Sequence, residues 1–265
     1  MLALIGIGLA EPGDISVKGY NTAKQSDKIY LESYTSKLAC SHEELEKFYG
    51  KKIHLANRVF VEDGKQLLEE AKNGNVALLV IGDPLCATTH WDILTRAKEM
   101  GIQTRVVHNA SIMSAIGSTG LQVYKFGKTT SIPFPIEKFE PETAYDVILQ
   151  NKAIGAHTLV LLDLRPDENK YMSVNEAIEI LRKIDRRREE HGFVADDWCV
   201  GVARLGFPDQ KIVAGTVMEA SDVNFGAPPH ALIVPGKLHF LEEEALAQWG
   251  AKRKDRKAKV EIWEK

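Results

Sequence analysis

Cysteine is scarce in this sequence. Cys40, Cys86 and Cys199 stand isolated in 265 residues, so neither a disulfide framework nor a zinc knuckle is expected. Long apolar runs are missing too, and none approaches the roughly 20 residues a membrane helix needs. Residues 2–8 are too short for the apolar core of a signal peptide and follow no basic leader. A cytoplasmic protein without membrane contact is expected. Charge of one sign is also lacking: 34 Lys and Arg against 37 Asp and Glu leave a net charge of −3. That argues against nucleic-acid binding driven by bulk charge. What is present is 44% hydrophobic and 27% charged residues, the composition of a globular chain with a real core. The length allows one large domain or two of ordinary size.

Several catalytic signatures are absent as well. The chain has no G-x-x-x-x-G-K-[ST] phosphate loop, no H-E-x-x-H zinc helix and no G-x-S-x-G elbow. No Cys and His pair has a thiol-enzyme context. The eight histidines lie apart in sequence, so no metal site is expected. A lone histidine such as His157 reads first as a hydrogen-bonded core or turn residue. A chain without an evident nucleophile suits an enzyme whose cofactor carries the reactive group.

The organising stretch is VALLVIGDPLCATTH, residues 76–90. A short apolar run bounded by Gly82 and Pro84 reads as a strand buried on both faces. Pro84 ends it, because proline cannot donate to a ladder and bars Asp83 from the helical region. Thr88 or Thr89 is expected to cap a helix over 90–100 that stops at Gly101. The loop between them sits at the carboxyl end of its strand, where open α/β sheets bind ligands. Read alone, it is equally an ordinary turn with a capping Asp.

The first strand, over 2–6, runs into Gly6-x-Gly8, which resembles the start of a dinucleotide fingerprint. The fingerprint fails at Glu11, where a third Gly or Ala is required. The glycines are read instead as letting backbone approach a ligand that has no diphosphate. Helices are predicted over 16–26, 41–49 (opened by the S-x-x-E capping box at Ser41) and 63–72, with strands over 28–32, 52–57 and 103–108. The alternation gives a parallel sheet with helices on its faces. His108-Asn-Ala-Ser111 then starts a helix directly after a strand. Ser111 reads as its cap, or the free amides there hold polar parts of a ligand.

From Leu121 the texture changes. Gly127, Pro133, Pro135 and Pro141 mark a boundary or a crossing strand. A second α/β set follows, with helices over 142–154, 173–191 and 241–249 and strands over 157–163, 198–205, 211–217 and 231–234. The strands over 198–205 and 211–217 read as an antiparallel pair. Arg182 to Glu190 read as a solvated helix face, and residues 252–259 as an exposed basic tail. Two domains are expected, 1–124 and 125–265, with a ligand between them.

Five segments, IGIGL, GDPLCATTH, HNASIMSAIGSTGLQVYKFGKT, VGVARLGFPDQ and PPHALIVPGKLHFLE, resemble the diphthine synthases in order and spacing. The resemblance runs from Leu2 to Glu242, and the length is closer to the archaeal form. It implies two α/β domains of the tetrapyrrole methylase type, an N-terminal mostly parallel sheet and a C-terminal mixed one. S-adenosyl-L-methionine would lie in the cleft between them and leave as S-adenosyl-L-homocysteine, with no metal. Family cofactor contacts fall on Leu9, Asp83, Cys86, Ser111, Ile112, Leu162, Leu205 and His230. Cys86 stands where the family often has a small aliphatic residue, so main-chain contact is expected there. Asp83 is expected to shape its loop and to offset the cofactor's positive charge.

The implied reaction is trimethylation of the amino group on the 3-amino-3-carboxypropyl arm of the modified histidine of translation elongation factor 2, by a homodimer. An α-amino group has a pKa of roughly 8, so a neutral fraction exists near pH 7 and no strong general base is required. None is assigned. The rivals are a corrin-precursor methyltransferase of the same fold, and a non-catalytic module that binds an adenosyl ligand or a protein.

Overall fold

The computed structural model describes residues 1–135 and 140–250; the basic tail over 252–259 lies outside them. Five short strands form the first sheet: β1 (Leu2–Gly6), β2 (Lys28–Glu32), β3 (Ile53–Ala56), β4 (Val76–Val80) and β5 (Thr104–Val107). Their order is β3-β2-β4-β1-β5, and every pair is parallel. β1 and β4 are buried at every position, which explains why they read as unbroken apolar runs. Alternate residues of each strand serve opposite faces. Ala3, Ile5, Ala77 and Leu79 pack under α1 (Val17–Gln25) and α2 (His42–Tyr49). Leu2, Leu4, Leu78 and Val80 pack under α3 (Arg58–Asp63), α4 (Lys65–Asn73) and α5 (Trp91–Glu99).

Two local expectations are corrected. The helix expected over 63–72 is α4, which starts two residues later at Lys65, and an unanticipated short helix, α3, precedes it, the two separated by Gly64 at φ +60°. Asn57 caps α3 at its start, and the Arg96 guanidinium caps its end through the Glu62 and Asp63 carbonyls. Neither Thr88 nor Thr89 caps α5, whose cap position is His90 without a side-chain bond. The Thr88 hydroxyl instead donates to the Pro84 carbonyl at 2.9 Å, closing the loop on itself.

After β5 comes the four-residue α6 (Ile112–Ala115). The second sheet contains β6 (Thr130–Ile132) and β7 (Thr158–Leu162), and beyond them lies a small unanticipated hairpin, β8 (Leu164–Arg165) with β9 (Lys170–Tyr171). β10 (Trp198–Ala203), β11 (Lys211–Thr216) and β12 (His230–Val234) complete the sheet in the order β11-β10-β12-β7-β6. Only β6 and β7 are parallel, so the sheet is mixed. One face packs on α7 (Thr143–Ala153), α8 (Val174–Arg188) and α9 (Val217–Ser221). The other is covered by Ile116, Leu121 and α10 (Phe240–Ala247), which set Leu246 against Val200 and Ile233. We propose 1–124 and 125–265 as the two units, with residues 112–121 of the first laid across the second sheet. The charged face of α8 is exposed yet paired. Arg187 and Arg188 bind Glu140, Glu142 and Asp146 at the start of α7. Exposed pairs of this kind contribute only about 0–1 kcal/mol each.

Candidate functional site

β1 and β4 are neighbours, but the chain leaves them in opposite directions. After β1 it passes to α1 on one face, and after β4 to α5 on the other. Loops that part in this way open a crevice at the carboxyl ends of the strands. The two loops also hold each other, through Gly82 N to Gly8 O at 2.7 Å and Gly8 N to Gly82 O at 3.4 Å. A Cβ on Gly6 would lie 2.6 Å from the Gly82 carbonyl oxygen and 2.9 Å from Asn109 Cβ. The glycines of the first loop therefore serve the approach of protein to protein.

Asp83 is the node of the site, 5% exposed. One carboxylate oxygen accepts from Leu85 N at 2.9 Å. The other accepts from His108 Nδ1 at 2.8 Å and Asn109 N at 3.1 Å. Burial pushes its pKa up, but the N–H groups of Leu85, Asn109 and His108 outweigh that and hold the carboxyl below its ordinary range. Asn109 in turn donates to the Gly6 and Asp14 carbonyls, both at 3.0 Å. The three loops after β1, β4 and β5 are thus locked together. Ser111 caps α6 by accepting from Met113 N.

These loops form one wall of a cleft with about 910 Å³ of non-atom space, partly open to solvent. The opposite wall comes from the second sheet. Leu162 ends β7, Leu205 follows β10, and His230 starts β12. All eight residues expected from sequence line this one cleft: Leu9, Asp83, Cys86, Ser111 and Ile112 on the first side, Leu162, Leu205 and His230 on the second. Gly206, at φ +89°, lets the walls meet, for a Cβ there would stand 2.6 Å from Leu9 Cδ1. Burial raises the Cys86 thiol pKa, opposed by a hydrogen bond to Ser111.

The cleft is poor in free charge. Arg204 lines it but is 9% exposed and fully engaged. It donates to Asp209 Oδ2 at 2.8 Å, to the Asp209 and Phe225 carbonyls, and to Ala227 O. His230 faces the Ala227 carbonyl through Nε2 at 3.0 Å. Burial holds its pKa below 6.5, helped by the Arg204 charge and opposed by that carbonyl. The neutral ring then leaves Nδ1 a buried acceptor without a partner. A nucleoside N–H or O–H fits that atom, while nothing on the walls offers a free cation to a phosphate. Among the described residues no cluster of three or more His, Cys, Asp or Glu could hold a metal ion.

Sequence reasoning missed Thr35 and Ser36, which line the cleft after β2. The signal was their place at the carboxyl end of a strand. It also missed Arg204, and the His108 and Asn109 contacts behind Asp83. Buried Glu32 holds the missed loop, its carboxylate accepting from Tyr34 N, Thr35 N and the Thr35 hydroxyl at 2.6–2.9 Å.

Comparison with known proteins agrees with this architecture. The profile of the family Tetrapyrrole (Corrin/Porphyrin) Methylases matches residues 1–221. The chain is 46% identical to "Diphthine synthase" of Methanocaldococcus jannaschii, covering 93% of this chain and 97% of that protein. It is 45% identical to "Probable diphthine methyl ester synthase" of Arabidopsis thaliana, again over 93% and 97%. A crystal structure of diphthine synthase superposes with a TM-score of 0.87 at 38% identity, covering 95% of this chain and 96% of that one.

Proposed function

We infer the function from one premise: the chain belongs to the tetrapyrrole methylases and, within them, to the diphthine and diphthine methyl ester synthases. It is a methyltransferase that uses S-adenosylmethionine to methylate the amino group on the 3-amino-3-carboxypropyl arm of elongation factor 2, in diphthamide biosynthesis. The observation that carries this reading is the shared cleft, where the loops after β4 and β5 face Leu162, Leu205 and His230.

When bound, S-adenosylmethionine supplies a methyl group made electrophilic by a sulfonium sulfur. The residues of the chain hold and orient. Leu9, Ile112, Leu162 and Leu205 give apolar walls, and His230 Nδ1 offers an acceptor to the nucleoside. Asp83 fixes the loop after β4 and places the one carboxylate of the lining beside a cationic ligand. Orientation of the two reactants supplies on the order of 7 kcal/mol in good cases. The acceptor amine has an ordinary pKa near 8, so the wall needs no strong base, and none stands in it.

A cytoplasmic homodimer belongs to the same reading. Among the described residues no helix is long and apolar enough to cross a membrane. Tyr124, Phe240 and Leu241 are exposed by 82%, 61% and 52% on either side of the Lys125–Glu242 contact, an apolar group for a second copy to cover.

The test is intact-mass analysis of elongation factor 2 carrying the unmethylated arm, after incubation with the protein and S-adenosylmethionine. A gain of three methyls supports the trimethylation reading. A gain of four adds a methyl ester, the second reading, favoured by the name of the Arabidopsis relative. No gain, with methylation of a corrin precursor instead, would replace both.

A further inference from the structure

The arm to be methylated carries a carboxylate on the same carbon as the reacting amine, a group that a cation near the cleft mouth would bind through a charge-assisted hydrogen bond. We propose that Lys37 is the residue that binds this carboxylate and thereby selects the carboxypropyl arm; the inference rests on the function proposed above.

Lys37 follows Thr35 and Ser36, which line the cleft, and Glu32 pins that loop through three hydrogen bonds. Its side chain is exposed and reaches from the first half of the molecule to the second. Lys37 Nζ lies 5.5 Å from the ring centroid of Tyr171. Tyr171 is paired across the hairpin with Leu164, and Leu164 lines the cleft. Directly opposite residues share a face, so the ammonium stands over the cleft side of the hairpin.

The other cations nearby are committed elsewhere. Arg165 and Lys170 pair with each other across the hairpin, one residue on from the Leu164–Tyr171 pair, and so lie on its opposite face. Both sit over the Phe134 ring, and Arg165 also lies near Asp163 and Glu168. Arg204 is buried and saturated by Asp209 and by backbone carbonyls. Lys37 has no carboxylate partner among the described residues; a ring face holds it in place without neutralising it. Asp83 sits in the loop after β4 and Lys37 in the loop after β2, neighbouring strands of the first sheet, so the carboxyl ends of that sheet carry an anion for a sulfonium and a cation for a carboxylate.

The test is a charge series, Lys37→Arg, Lys37→Met and Lys37→Glu, with the modified elongation factor varied at saturating S-adenosylmethionine. The expected result is a KM near wild type for Arg, raised about tenfold for Met, and raised further for Glu, the loss of one charge-assisted hydrogen bond. Cofactor affinity and melting temperature should stay unchanged, because the residue is exposed and on the substrate side. Met and Glu variants with the wild-type KM would overturn the proposal. So would an equal loss of binding to elongation factor that lacks the arm, which would make Lys37 a general docking contact. A wild-type protein that transfers no methyl to the arm would remove the functional reading, and this inference with it.

Discussion

Asp83 shows how much one side chain fixes. Its three N–H donors come from its own loop and from residues 25 and 26 positions away, so Asp83→Asn turns an amide NH2 toward a donor. A buried donor left unmatched costs about 1–3 kcal/mol, and a lowered denaturation midpoint together with weaker cofactor binding is expected. A normal midpoint and normal binding would contradict both roles assigned to the residue. The sign of the pH dependence follows from the lowered carboxyl pKa. Its contribution is complete above the unfolded value near 3.9 and is lost as pH falls through the lower folded value. The Asn variant should therefore approach wild type in strong acid. Asp83 was legible because a glycine and a proline punctuate an apolar run around it. His108 and Asn109 were not legible as its partners, since β1 lies between β4 and β5 and only the completed sheet brings those loops together.

Among the elements, α10 is held to the second sheet by a buried carboxylate. Glu242, 0% exposed, contacts Lys125 Nζ and accepts from Gln122 N at 2.9 Å, His239 N at 2.8 Å and His157 Nε2 at 2.9 Å. The His157 tautomer is fixed at the other end, where Gly236 N donates to Nδ1 at 2.9 Å. Burial holds His157 below its ordinary pKa, against the pull of Glu242 and helped by the Lys125 charge. Burial also pushes Glu242 up, but Lys125, two backbone N–H groups and His157 bring it down to about 2. Both groups have lowered folded values, so both stabilise above their unfolded values and lose that contribution as pH falls. Urea midpoints are expected to drop below pH 6.5 as His157 is forced to charge, and again between about 4.5 and 2. The lower window is worth on the order of 3 kcal/mol, and Glu242→Gln should abolish it. Elements of two to six residues were the hard part to read. α3 and the loop hydroxyl of Thr88 owe their form to Gly64, Arg96 and the Pro84 carbonyl, which are tertiary or backbone effects that no periodicity records.

At the scale of the whole molecule, function depends on the two sheets meeting at one seam. Gly206→Ala places a Cβ against Leu9 in a left-handed backbone position, where a side chain costs roughly 1–2 kcal/mol before any clash. A lower melting temperature and weaker cofactor binding are expected together. Tyr124→Lys sets a charge in the exposed apolar group and should shift the proposed dimer to monomer in sedimentation; an unchanged dimer would move the interface elsewhere. The parallel and mixed sheets were readable from strand and helix patterns, but the facing of the two walls was not. Residue chemistry alone singled out Asp83 and Ser111, and the other six lining residues came from the family resemblance. The most direct measurement is a calorimetric titration of S-adenosylmethionine into the wild-type protein, Asp83→Ala and His230→Ala. One site per chain, weakened by each substitution although the two residues lie on opposite walls, is the expected result. No binding, or binding indifferent to both substitutions, would contradict the assignment of this cleft.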